Sequence, residues 1–283
     1  MSRIQQILDK AERDGSVRRL RADATFAAGL GPDTAGAPNG PIGSPLMTAE
    51  PAAHVAGAGS AQPRFTTARV VTGVRLDPRL VTAAFADGVA TEQYRALRTR
   101  ILHADPISPV NVVLVTSPGR GEGKTLTAAN LGLAMAQEWQ RRVCVIDADL
   151  RHPQMQRIFG LPDGPGLCDV LTGHASLDEA LVTLEDHQLT VLPAGNLPAA
   201  RPAELLGTGA MRRTLDTLRS QFDRLVVDTA PALPLADVSV LAPLVDRVLL
   251  VVRAGITGKP SIHDAVSSID RAKLLGLVLN EAV

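Results

Sequence analysis

From about residue 65 onward the chain alternates short apolar runs with longer stretches in which apolar positions recur every three or four residues. VNVVLV at 110, VCVID at 143, LTVL at 189, LVVD at 225, RVLLVV at 247 and LGLVLN at 275 are apolar at nearly every position. Runs of this kind suit strands covered on both faces, and the helical stretches between them supply the crossovers that parallel strands need. The pattern predicts a doubly wound α/β domain with a mostly parallel sheet over residues 65–283. In that architecture ligands bind beyond the carboxyl ends of the strands, so the residues that follow each run are the candidates for chemistry.

The first 64 residues have a different texture. Ile4, Ile7, Leu8 and Ala11 recur at helical spacing, which predicts an amphipathic helix within residues 1–21, with an Arg-rich end. Residues 22–64 are rich in Ala, Gly and Pro, show no periodicity and offer little to bury, so a disordered linker is expected there.

Composition narrows the partners. The formal net charge is zero and aromatic residues make up 2% of the chain, so neither a basic field nor stacking platforms favour nucleic acid. Cys144 and Cys168 fit neither a zinc site nor a redox pair, and the six histidines have no ligand spacing. The polar start and the lack of a long uncharged apolar stretch lead to the expectation of a cytoplasmic protein.

The most specific chemistry lies after the first run. Ser117-Pro-Gly-Arg-Gly-Glu-Gly-Lys-Thr125 follows VVLVT and precedes LTAANLGLAMAQEW, giving the strand, loop and helix that a phosphate-binding loop requires. Gly119, Gly121 and Gly123 permit close approach and positive φ, so that successive main-chain N–H groups can converge on phosphate oxygens beside the helix N-terminus. The candidate nucleotide-binding set is Gly119, Arg120, Gly121, Glu122, Gly123, Lys124, Thr125 and Leu126. Lys124 is assigned to the β and γ phosphates and Thr125 to Mg²⁺. Pro118 stands where the G-x-x-x-x-G-K-[ST] pattern has its first Gly.

Two neighbouring runs end in acids. VCVIDADLRHP places Asp147 and Asp149 at a strand tip, and LVVDTAP places Asp228 at another. A phosphate loop needs a carboxylate on an adjacent strand to hold Mg²⁺ or its waters, and Asp228 fits that part. Asp147 and Asp149, two apart on an extended chain, share a face, so one can serve the metal while the other orients or deprotonates a nucleophile. The catalytic candidates are Lys124, Asp147, Asp149 and Asp228, and the metal candidates are Thr125, Asp147 and Asp228.

Taken together, SPGRGEGKT, VIDADLRHP, VVDTAP, GLCDVLTG at 166–173, VLPAGNLPAARPAELL at 191–206 and VVRAGIT resemble the bacterial tyrosine kinases of the CpsD/CapB capsule and exopolysaccharide family. That family is related to the MinD and ParA ATPases. The resemblance implies ATP and Mg²⁺ as cofactors, a role in polysaccharide synthesis and export, and an adenine contact for Asn280. It also implies that Glu92, Arg95 and Arg98, in a helix over 91–103, pack subunit on subunit in a ring. Arg151 is carried over as a site or interface residue. The stand-alone members need a membrane chain-length regulator of the Wzz/CapA kind as activator, which implies a peripheral location at the inner membrane face. Family members carry a C-terminal cluster of acceptor tyrosines, whereas Tyr94 is the sole tyrosine in these 283 residues. Two alternatives therefore stay open: a MinD-like ATPase switch without protein phosphorylation, and a non-catalytic nucleotide-binding scaffold of an export complex.

Overall fold

The computed structural model describes residues 68–281 other than 86, 105–108 and 196–200. The helix expected within 1–21 and the linker 22–64 lie outside the described residues. Among the described residues, eight strands form one sheet: β1 Arg69–Val71, β2 Val112–Thr116, β3 Val143–Asp147, β4 Val182–Leu184, β5 Leu189–Leu192, β6 Arg224–Asp228, β7 Arg247–Arg253 and β8 Leu274–Asn280. Each of the six apolar runs became a strand, while β1 and β4, three residues each, were not expected. The spatial order is β1-β4-β5-β3-β6-β2-β7-β8. Only the β4–β5 pair is antiparallel, joined through a short turn of 3₁₀ helix at Glu185–His187.

The apolar runs are explained by two cores, one on each face of the sheet. Leu114, Ile146, Val227 and Leu250 point to one face, and Val113, Val145, Val226 and Leu249 to the other. Four helices of ten residues or more are described: α1 Val89–Leu102, α2 Lys124–Ala136, α3 Gly209–Gln221 and α4 Lys259–Ser268. Helix α3 contributes Met211, Leu215 and Leu218 to the first core, and α2 contributes Leu131 and Met135 to the second. Because α2 is hidden along nearly its whole length, its sequence carries no polar stripe.

Register fixes what meets at the carboxyl ends. β2 lies between β6 and β7, with Val115 opposite Asp228 and Thr116 opposite Leu250. β6 also pairs with β3, placing Asp147 directly opposite Asp228. At the other end of the sheet, the Asp246 carboxylate accepts the N–H groups of Asn111 and Val112, each at 2.8 Å, and Arg219 donates to its second oxygen at 3.0 Å. That clamp joins the starts of β2 and β7, so the amino ends of the strands are committed to stability and the carboxyl ends are left for chemistry.

At Gly132, α2 passes so close to β3 that an added Cβ would lie 2.2 Å from Val145 Cγ2. Gly132→Ala is expected to cost about 1–3 kcal/mol through overpacking. Pairing it with Val145→Ala should return part of that loss, because the second change removes the colliding methyl. Urea denaturation of the two single variants and the double variant reads the coupling.

Candidate active site

Strand β2 ends in side chains that anchor the start of the loop. The Thr116 hydroxyl donates to the Ala230 carbonyl at 2.9 Å, the Ser117 hydroxyl donates to the Gly119 carbonyl at 2.6 Å, and the Ala232 N–H donates to the Ser117 carbonyl at 2.8 Å. The chain then turns through Gly121 and Gly123, whose φ angles of 75° and 91° lie in the left-handed region that side chains disfavour. Position 118 needs no such angle, so Pro118 is accommodated there. Among the described residues, no protein acceptor takes the N–H groups from Gly119 to Leu126, and the first one used is that of Thr127, which donates to the Gly123 carbonyl at 2.8 Å. A row of unused donors at the start of a 13-residue helix is the electrostatic profile of an anion site.

Three carboxylates face this loop. The Lys124 ammonium sits 2.8 Å from Asp149 Oδ2 and 3.2 Å from the Thr125 hydroxyl. Burial pulls the Lys124 pKa down, but the negative charges of Asp228, Asp149 and Asp147 outweigh it and hold the ammonium protonated beyond its usual range. Asp147 is fully buried and accepts main-chain N–H bonds from Asp149, Gln154 and Met155 at 3.0–3.2 Å. Burial pushes its carboxyl up, those donors pull it down, and nearby Asp149 adds to the rise. Asp228 is different: it is fully buried and neither oxygen accepts a well-formed hydrogen bond. Burial drives its carboxyl strongly upward, Lys124 offsets part, Asp147 pushes it up again, and the adjacent Thr125 hydroxyl lowers it.

Lys124, Thr125, Asp147, Asp149 and Asp228 are therefore brought together. Asp147 shapes the turn after β3 through its three main-chain contacts, whereas the bare oxygens of Asp228 are free for a cation. The remaining candidate residues have more varied placements. Arg120 is exposed and lines a cavity of about 260 Å³ between the loop and the turn after β7, and Leu126 packs against the second core. The Asn280 side-chain amide donates to the Glu122 carbonyl at 3.1 Å, directly against Gly123. Arg151 forms a bidentate pair with the fully buried Asp237 at 2.8 and 2.9 Å, which fastens the turn after β3 to the helix Asp237–Leu241. No local sequence signal marked Asp237 as that partner.

The expected interface residues all lie on α1. Glu92 and Arg95 pair with each other along the helix, and Arg95 also reaches the Gln137 side chain at 3.4 Å. Arg98 donates to the Ala134 carbonyl at 2.7 Å, capping the carboxyl end of α2 within the same chain. Tyr94 faces Thr127 of α2, and burial raises its hydroxyl pKa. No helix among the described residues is long and apolar enough to cross a membrane.

Comparison with known proteins places this geometry among relatives. A family model described as an AAA domain matches residues 111–275. The tyrosine-protein kinase YwqD of Bacillus subtilis (strain 168) is 34% identical over 210 residues, which cover 74% of this chain and 88% of that protein. The succinoglycan biosynthesis transport protein ExoP of Rhizobium meliloti (strain 1021) is 33% identical over 178 residues, 62% of this chain but only 22% of that longer protein. Among solved structures, the kinase domain of the Escherichia coli tyrosine kinase ETK superposes with a TM-score of 0.67 at 28% identity, over 71% of this chain and 79% of that one.

The raised carboxyl of Asp228 gives a signed pH dependence. Folded metal-free protein keeps a proton there up to about pH 8, whereas the unfolded chain loses it near the ordinary aspartate value of 3.8. Unfolding between those values releases the proton, so this group's contribution to stability is whole below the lower value and is lost as pH rises toward the upper one. Asp228→Asn removes the effect. The melting temperature of the variant, relative to the parent, is expected to rise steadily from pH 5 to pH 8 in chelator-treated samples. A pH-independent difference would contradict the assignment.

Proposed function

The chain belongs to the AAA-domain family and, within it, to the bacterial tyrosine-protein kinases, and from that premise we propose that it phosphorylates tyrosine with Mg-ATP in exopolysaccharide synthesis and export. The observation that carries the reading is the Asp228 carboxylate, sealed from solvent and without a well-formed hydrogen bond, beside the Thr125 hydroxyl, the Lys124 ammonium and the unused N–H groups of the loop. A buried acid left bare is costly unless a cation or proton arrives. The donor set, one hydroxyl from Thr125 and one carboxylate from Asp228, suits Mg²⁺, which takes few protein ligands and completes its shell with phosphate oxygens and water.

Magnesium, when bound, neutralises charge that builds on the transferred phosphoryl group. The protein's own groups do the positioning. The loop N–H groups hold the phosphates, and Lys124, held close by Asp149, adds a positive charge at the transferring end. Asp149 stands at the strand tip with its carboxylate toward Lys124, and we assign it the proton of the incoming tyrosyl hydroxyl. Asp147 holds the turn that carries Asp149 through its main-chain contacts.

The partners follow the family resemblance. We propose a ring of subunits in which exposed Glu92 and half-buried Arg95 meet the neighbour, with Arg98 retained for its own α2. We also propose a cytoplasmic location at the membrane face, through a separate membrane protein that acts as activator. A second reading, ATP hydrolysis that cycles assembly, is favoured by one feature: the sole tyrosine, Tyr94, turns its hydroxyl to its own α2. The acceptor in the kinase reading therefore lies outside these residues.

Incubation with γ-labelled ATP, Mg²⁺ and a tyrosine-containing polymer distinguishes the two. Label in the polymer is expected, while free phosphate alone would favour the hydrolytic switch. Lys124→Met should lower transfer by about a hundredfold or more while leaving the circular dichroism spectrum unchanged, since its role is electrostatic. Full transfer by that variant would refute the site.

A further inference from the structure

Glu122 lies within the phosphate loop but sends its side chain to another part of the molecule. Its Oε1 accepts a hydrogen bond from the Thr257 hydroxyl at 2.9 Å. That hydroxyl in turn accepts the Arg253 N–H at 3.0 Å, so its single proton is directed to Glu122. The Glu122 carbonyl meanwhile accepts the Asn280 amide at 3.1 Å, and the Asn280 carbonyl accepts the Ala254 N–H at 2.9 Å. One residue of the loop is thus held from both ends, by the turn after β7 and by the last residue of β8. Gly123 completes the arrangement, because a Cβ there would lie 2.1 Å from Asn280 Nδ2.

The energetics are unusual for a structural contact. Glu122 is 7% exposed, and its second carboxylate oxygen is sealed from solvent without a donor. An acid buried in that way costs the folded state more than a neutral residue would. Stability alone does not account for it. The main-chain N–H groups of the loop from Gly119 to Leu126 also have no protein acceptor, so they do little to fix its shape. Groups that all point their positive ends inward spread apart unless something outside holds them.

We propose that Glu122 is a positioning residue for nucleotide binding: with Thr257 and Asn280 it ties the phosphate loop to the carboxyl ends of β7 and β8, and so holds the N–H groups in the geometry that grips phosphate. This rests on the reading of the loop as a nucleotide site and adds the device that preorganises it. Ordering done in advance of binding appears as affinity, because the ligand no longer has to supply it. The tie spans 135 residues to Thr257 and 158 to Asn280, so changes in the turn after β7 reach the phosphates directly.

Calorimetric titration of the full chain with Mg-ATP, together with thermal melting, tests this. Glu122→Ala and Thr257→Val are each expected to weaken binding by about tenfold, the worth of one hydrogen bond to a charged group. The double variant should bind no worse than either single one, since both remove the same contact. Glu122→Gln keeps the acceptor for Thr257 and should bind within about twofold of the parent. The melting temperature of Glu122→Ala should equal or exceed that of the parent, an outcome a merely structural role would reverse. Should Glu122→Ala fail to fold, Thr257→Val reports the tie on its own, and unchanged affinity in that variant sinks the proposal. A parent chain that does not bind Mg-ATP sinks the nucleotide reading. A parent that binds, beside variants with unchanged affinity or with effects that multiply, sinks the tie alone.

Discussion

Everything at the carboxyl end of this sheet is arranged around one imbalance: three buried acids, Asp147, Asp149 and Asp228, share a single ammonium. Parallel pairing of β3 with β6 sets Asp147 opposite Asp228, and the loop that leaves β2 brings Lys124 between them and Asp149. Were all three acids ionised, the pocket would be short of positive charge in a region that water cannot screen. Asp149 is paired and Asp147 is satisfied by main-chain donors, so the shortage falls on Asp228, whose oxygens have only the Thr125 hydroxyl beside them and no well-formed hydrogen bond. In the proposed reading, a divalent cation carried in by a triphosphate would supply what is missing, and the free N–H groups of the loop would receive the phosphate charge that comes with it. Neither the cation nor the anion alone meets both demands.

The scaffold keeps that imbalance affordable by separating stability from chemistry along the strands. Asp246 and Arg219 lock the amino ends of β2 and β7, Asn130 binds the segment around Arg79 and Thr82 to α2, and the two cores hold both faces of the sheet. The opposite ends are fastened by contacts that also aim the site: Arg151 to Asp237 for the turn after β3, and Glu122 to Thr257 and Asn280 for the loop after β2. These polar ties leave the phosphate-facing groups free.

Most of the sheet was legible in the sequence because double coverage leaves a plain mark. VVLVT, VCVID and RVLLVV have no polar face to confuse with anything else. β1 and β4 left no such mark. Each has three residues, and VTL and RVV at that length carry neither a run nor an alternation that separates strand from loop. The candidate site groups were legible because they lie at or after the ends of readable strands: Asp147 and Asp228 close β3 and β6, Asp149 follows β3, and the loop that carries Lys124 follows β2. Their division of labour was not, since the backbone donors that occupy Asp147 and spare Asp228 come from residues 149, 154 and 155, whose turn the sequence does not announce. The partners of Arg98, Arg151 and Glu122 were equally hidden, each lying between 36 and 158 positions away. For α1 the motif was visible, but only the fold shows that one of its arginines caps α2.

The measurement that bears most directly on this account is the proton count on binding. Titrating Mg-ATP into the protein at pH 7 in two buffers of different ionisation enthalpy reports how many protons leave. If magnesium displaces the proton that burial keeps on Asp228, binding depends on magnesium and releases up to about one proton, and the release vanishes in Asp228→Asn. Binding of equal strength without magnesium, or with the same proton count in parent and variant, would contradict the claim that this bare acid is kept for the metal.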